Sequence, residues 1–176
     1  MGSRFGAMLL LTALTAAAPV HGDESCVDFK WDVSQERLLF AGPATPLAAG
    51  ADSQSAPALQ LNHLYELKLL AQEKVSFAVE PGKKSPRQGS NAGLATFRIP
   101  AAGSYRVAID MPFWIDVVSN GARVAAADFQ GQHACSSPHK IVQFDLAGAR
   151  PFYLQLSDAA PDSVRLTLTA TPARQR

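Results

Sequence analysis

The chain has 176 residues, of which 47% are hydrophobic, with 16 basic residues against 15 acidic and a formal net charge of +1. Such a balance provides no global attraction to nucleic acid or to an anionic membrane surface. With one basic cluster and no recognition helix, the sequence reads as a chain with no nucleic-acid partner.

The first 22 residues do not read as part of a fold. Arg4 is followed by the uncharged apolar run from Ala7 to Ala18 and then by Pro19-Val20-His21-Gly22. A charge, a short apolar stretch and small residues describe a secretory signal peptide. The small-residue rule allows cleavage after Ala18 or Gly22, and Gly22 is preferred. The apolar run falls well short of the roughly 20 residues needed to cross a bilayer, so the chain is not expected to span a membrane. The expected organisation is a signal peptide over 1–22, one domain over 23–172 and a tail over 173–176. The expected location is the periplasm or the cell exterior. Only two cysteines are present, Cys26 and Cys135. In an oxidising compartment they form a candidate disulfide closing a loop of about 110 residues, with roughly 4–5 kcal/mol of stabilisation on the chain-entropy model.

Alternating apolar and polar residues dominate the chain from Cys26 onward, the pattern of half-buried strands. Cys26 to Val33 places Val27, Phe29, Trp31 and Val33 on one side. Ser34 to Ala41 suits a helical turn or two with Ser34 as its cap, and Gly42 to Pro57 reads as a surface loop. Further strands are expected around Tyr65–Leu69, Val75–Val79 (with Ala71-Gln72-Glu73 as a hairpin turn), Ala95–Ile99 and Tyr105–Ile109. Phe113–Val117 and Arg123–Asp128 flank Asn120-Gly121, a pair whose tolerance of positive φ marks a hairpin. Phe129 to Pro138 reads as a loop. Val142–Leu146, Phe152–Leu156 and Val164–Ala170 complete about nine strands. Without a long amphipathic helix to cover a sheet, two sheets must stack. The expected fold is all-β, an antiparallel, jelly-roll-like β-sandwich.

Residues FRIPAAGSYRVAID (97–110), WIDVVSNGARV (114–124), IVQFDL (141–146), FYLQLS (152–157) and VRLTLT (164–169) carry a likeness over about 94–171. In their order of a strand, a Gly turn, a Tyr-containing strand, a strand centred on Asp116, a hairpin and a closing aromatic strand, they resemble the bacterial pre-peptidase C-terminal domain. That resemblance implies a small sandwich with a non-catalytic accessory or binding role, toward a protein or glycan partner, and it implies no catalytic residue.

Several candidate sites stand out. Trp114 and Asp116 fall on the face opposite Phe113, Ile115 and Val117. A flat ring beside hydrogen-bonding groups suits sugar recognition, and a cap at a sheet edge or burial under the Gly42–Pro57 segment suits the same residues. The loop 128–140 adds His133, His139 and Lys140 to this candidate ligand surface. His133, Cys135 and His139 also follow a His-x-Cys-x3-His spacing, so a copper or zinc site completed by His63 or Cys26 is the alternative reading. That reading and the disulfide compete for Cys135, and no cofactor is expected if the disulfide forms. Lys83, Lys84 and Arg87 lie in a stretch, Pro81 to Ile109, that has no acidic residue. They form a candidate loop for an anionic partner, or simply a solvated loop. Ser137-Pro138-His139-Lys140 fits Ser-x-x-Lys, but that chemistry needs both residues on a helix, and this segment leads into a strand. No catalytic constellation is found, and an enzyme is not expected.

Overall fold

A computed structural model describes residues 29–132, 135, 137–148 and 150–171. The signal-peptide segment, Cys26, His133 and the tail lie outside the described residues. Among those described, one short helix and twelve strands form two six-stranded sheets. Helix α1 spans Ser34–Phe40. The strands are β1 (Thr45–Ala48), β2 (Ala58–Leu59), β3 (Leu64–Lys68), β4 (Leu70–Ala71), β5 (Asn91–Phe97) and β6 (Gly103–Ile109), then β7 (Trp114–Ser119), β8 (Ala122–Val124), β9 (Ala126–Gly131), β10 (Lys140–Leu146), β11 (Phe152–Ala159) and β12 (Ser163–Ala170).

The first sheet runs β1-β3-β12-β6-β10-β9, and the second β2-β5-β11-β7-β8, with β4 also on β5. The longer strands pair in a nested order, β3 with β12, β5 with β11, β6 with β10 and β7 with β8. First with last and each next pair inside the previous one is the wrapping of a jelly roll. The all-β sandwich expected from alternation is therefore the fold. Its sheets are mixed rather than purely antiparallel, because the edge strands β1 and β2 pair parallel to β3 and β5.

One core fills the space between the sheets. Val107, Ile109, Phe144, Leu166 and Leu168 from the first meet Phe97, Val117, Phe152, Leu154 and Leu156 from the second. All ten are at most 2% exposed. Along β7 and β11 the pleat turns every second side chain, Ile115, Val117, Phe152, Leu154 and Leu156, into this core. At the tip of the β7–β8 hairpin Asn120 and Gly121 adopt φ of 53° and 71°. Both are the left-handed values that a type I′ turn requires.

Several expected elements differ. The described part of the Cys26–Val33 strand, from Phe29 onward, is not a strand. Its apolar side packs Phe29, Trp31 and Val33 on the outer face of the first sheet, against Leu64, Ala108 and Ile141. Alternation there records one buried side, not membership of a ladder. Within Gly42–Pro57, the expected loop, β1 adds an edge strand, and the cap of α1 is Val33 rather than Ser34, with the Asp32 carboxylate accepting the Ser34 N–H at 2.9 Å. Residues 75–79 form no strand, and a 3-10 turn at Gln72–Lys74 leads into them instead of a hairpin. The expected strand 123–128 is two strands, because the chain leaves the second sheet at Ala125 and joins the first as β9, which continues to Gly131 inside the expected 129–138 loop.

Candidate ligand-binding face

On β7, Ile115 and Val117 face the core, so Trp114, Asp116 and Val118 face outward on the second sheet. An outward carboxylate on a bare sheet would be solvated, yet Asp116 is only 8% exposed, while Trp114 remains 39% exposed. The cover is residues 75–90, here termed the strap, and not the Gly42–Pro57 segment.

The strap is held by polar side chains that rise from the sheet. Gln155 of β11 lies directly across from Asp116 in the ladder. Its amide Nε2 donates to the Val79 carbonyl at 3.1 Å, and its Oε1 accepts the Val79 N–H at 3.1 Å. The amide thus imitates the peptide of a neighbouring strand. Asp116 Oδ2 accepts the Gly82 N–H at 2.9 Å, and Arg123 of β8 donates to the Glu80 carbonyl at 2.6 Å. Asp158, in the left-handed region at φ 57°, accepts the Arg87 N–H at 2.6 Å and pairs with Lys83 at 3.7 Å. Burial works to raise the Asp158 pKa, but the Arg87 N–H and guanidinium, with the charges of Arg87 and Lys83, outweigh it and hold the carboxyl below its usual range.

Gly82 shows how tightly the strap sits. A Cβ there would lie 2.9 Å from Trp114 Nε1 and 3.0 Å from Asp116 Oδ1. Lys140, at the start of β10, reaches the same indole from another side. Its Nζ donates to the Phe113 carbonyl at 2.8 Å and lies 5.8 Å from the Trp114 ring centroid. Burial pushes the Lys140 pKa down, Asp116 partly offsets this, and Lys83 adds to it.

Trp114 and Asp116 line a groove of about 670 Å³ between the strap, at Val79–Gly82, and the β7–β8 hairpin, with Arg123 and Glu80 on its walls. A second groove of about 540 Å³ lies at the other end of β11, around Tyr153, Thr96 and Arg98.

Two sets of residues that the sequence presents separately therefore meet. Trp114, Asp116 and Lys140 stand beside Lys83, which the strap carries in. Lys84 is exposed, and Arg87 is bound to Asp158. His139 is placed apart from the groove lining, its Nδ1–H donating to the Cys135 carbonyl at 3.0 Å. Cys135 is buried at 3% exposure. His63 sits against Thr45, at 2.8 Å, and the Tyr65 ring. It precedes β3, which β12 and β6 separate from β10, a displacement of about 14 Å at the usual strand spacing. The structure does not bring His63 to the His139 loop, and among the described residues no group of three His, Cys, Asp or Glu could hold a metal ion. Among the same residues no helix is long and apolar enough to cross a membrane.

Gln155, Gly82, Arg123 and Asp158 were not among the sequence candidates. In FYLQLSDA, Gln155 and Ser157 look like ordinary solvent-facing positions, and nothing local marks Gly82 as a point of close approach. The one available signal was the missing acidic residue in Pro81 to Ile109, which requires carboxylates such as Asp116 and Asp158 to come from elsewhere. No protein-family model matches the chain, and no curated protein matches it.

Proposed function

We propose that this protein is an exported, non-catalytic binding module of the periplasm or cell exterior, and that its ligand is a glycan held in the groove between the strap and the β7–β8 hairpin. The observation that carries this reading is Trp114, 39% exposed at the groove beside an almost buried, hydrogen-bonded Asp116. Indole covers the apolar C–H face of a sugar ring, while fixed carboxylate, guanidinium and peptide groups take its hydroxyls. Pre-formed sites of this kind bind without a large ordering cost. The resemblance to the pre-peptidase C-terminal domain, the leader-like first 22 residues and the jelly-roll wrapping support the same reading.

A Cys26–Cys135 disulfide belongs to the proposal. Cys26 precedes Phe29 by three residues, and the next residue, Lys30, donates its N–H to Gln130 at 2.9 Å and pairs with Asp128 at 2.6 Å. Lys30 therefore lies beside β9, which leads to Cys135, and Cys26 stands four positions before Lys30 in sequence. Intact mass of the purified protein reads this bridge as two missing hydrogens.

Titration calorimetry against cellohexaose, chitohexaose, polygalacturonate and dextran sulfate, with Trp114 emission followed in parallel, tests the glycan reading. Saturable binding to at least one probe, weakened about tenfold or more by Trp114→Ala, is expected, since an aromatic contact of this kind is worth on the order of 1–2 kcal/mol. Absence of binding to all four, or a Trp114→Ala variant that binds as the parent does, overturns it. In that case a protein partner would be the next ligand to seek.

A further inference from the structure

Resting on the glycan reading above, we propose that the Trp114 end of the groove selects an acidic glycan, one whose carboxylate or sulfate group is met by Lys140 and the strap lysines while its sugar ring lies on the indole. Four elements bring charge to this place. The strap supplies Lys83, Lys84 and Arg87, β10 supplies Lys140, and β7 and β11 supply Asp116 and Asp158. Four cations face two carboxylates, and the carboxylates are already engaged. Asp116 accepts the Gly82 N–H, and Asp158 holds Arg87 and Lys83.

Lys140 and Lys84 take part in no ion pair among the described residues, and the Asp116 charge only partly offsets the burial of Lys140. Lys140 is the more informative. Its ammonium is fixed in place by a carbonyl oxygen and an aromatic face, neither of which carries a neutralising charge. A partly desolvated cation with one neutral acceptor is a costly arrangement that an oxyanion relieves by forming charge-assisted hydrogen bonds. The Phe113 contact already sets the orientation of the ammonium, so little is left to order when the ligand binds. Glu80, on the wall of the same groove, forms no ion pair with any of these cations among the described residues.

The calorimetric panel separates this inference from the reading it rests on. Expected are polygalacturonate or dextran sulfate binding at least about tenfold more tightly than cellohexaose, with affinity falling as salt is raised toward physiological strength, where the screening length is about 8 Å. Lys140→Gln is expected to remove about tenfold of that affinity, while Lys140→Arg retains most of it, because the charge-assisted hydrogen bond needs a cation and not a lysine in particular. Lys83→Gln and Lys84→Gln are expected to weaken binding by smaller factors. Preference for polygalacturonate assigns the group as carboxylate, and preference for dextran sulfate assigns it as sulfate. Equal affinity for cellohexaose and the acidic polymers, or a Lys140→Gln variant that keeps the preference, overturns the acidic selection and leaves the glycan reading standing. Failure of all four probes removes both.

Discussion

The two outer faces of the sandwich are closed in opposite ways. On the first sheet the cover is α1 and the preceding segment, and it is sealed by apolar contact. Phe40 and Val33 are buried with Leu64, Ala108 and Ile141. Most polar groups beneath it pair among themselves, the buried Thr167 hydroxyl being an exception. Glu36 accepts the Thr169 hydroxyl at 2.6 Å and lies 3.6 Å from Arg106, whose guanidinium stacks on Trp31 at 4.7 Å and donates to the Asp32 carbonyl at 2.8 Å. On the second sheet the strap is tied down through side-chain amides, carboxylates and a guanidinium that hold its backbone. Apolar burial excludes water and leaves no opening, whereas a cover held at points leaves grooves between the points. The difference explains why the Trp114 groove, walled by Val79, Glu80 and Gly82 of the strap, opens on the second sheet.

The contrast can be broken most forcefully on the sealed side. Phe40→Ala should destabilise the whole protein by about 3–5 kcal/mol in urea unfolding, because a buried ring is lost and the site can collapse only partly. A loss confined to α1 with an unchanged unfolding midpoint would show that this cover is no more integral than the strap.

Gln155→Leu sharpens the other half. It removes both hydrogen bonds to Val79 and should cost about 1–3 kcal/mol if the strap stays in place with its peptide groups unmatched. Release of the strap is the cheaper response, so faster amide exchange is expected over residues 76–83 with the sandwich core unchanged. Uniform destabilisation of the core would place Gln155 in the fold rather than in the tether.

The smallest effect concerns acid. The folded pKa of Asp158 lies below its unfolded value of about 3.9, so its contribution is complete above about pH 5 and is lost as pH falls below 4. In a Trp31→Phe background, Trp114 emission should therefore change below pH 4 before the far-ultraviolet dichroism does. Asp158→Asn, a residue that tolerates the left-handed backbone, should remove that early step. An emission change that survives the substitution would assign the acid response to another carboxyl.

Much of the fold was legible because the pleat imposes period two wherever one face is buried. The strands β3, β6, β7, β10, β11 and β12, and the Asn120-Gly121 turn, were readable on that ground alone. The same rule misled at Phe29–Val33 and Val75–Val79, where alternation arises from a chain lying over a sheet and not within one. Of the site, Trp114, Asp116 and Lys140 were legible from chemistry and register. Their union with Lys83 was not, because it depends on where the strap crosses β7, and that is decided by Gln155 and Gly82 across distances of 76 and 34 residues. Pairings so far apart in sequence leave no local pattern.

Native-state hydrogen exchange, resolved by peptide and followed as urea is raised toward the unfolding midpoint, tests the contrast between the two covers most directly. The strap, residues 75–90, is expected to open with a free energy well below the global value and little dependence on urea, while α1 exchanges only with global unfolding. Strap amides as protected as those of β11, or α1 amides that exchange as readily as the strap, would contradict it.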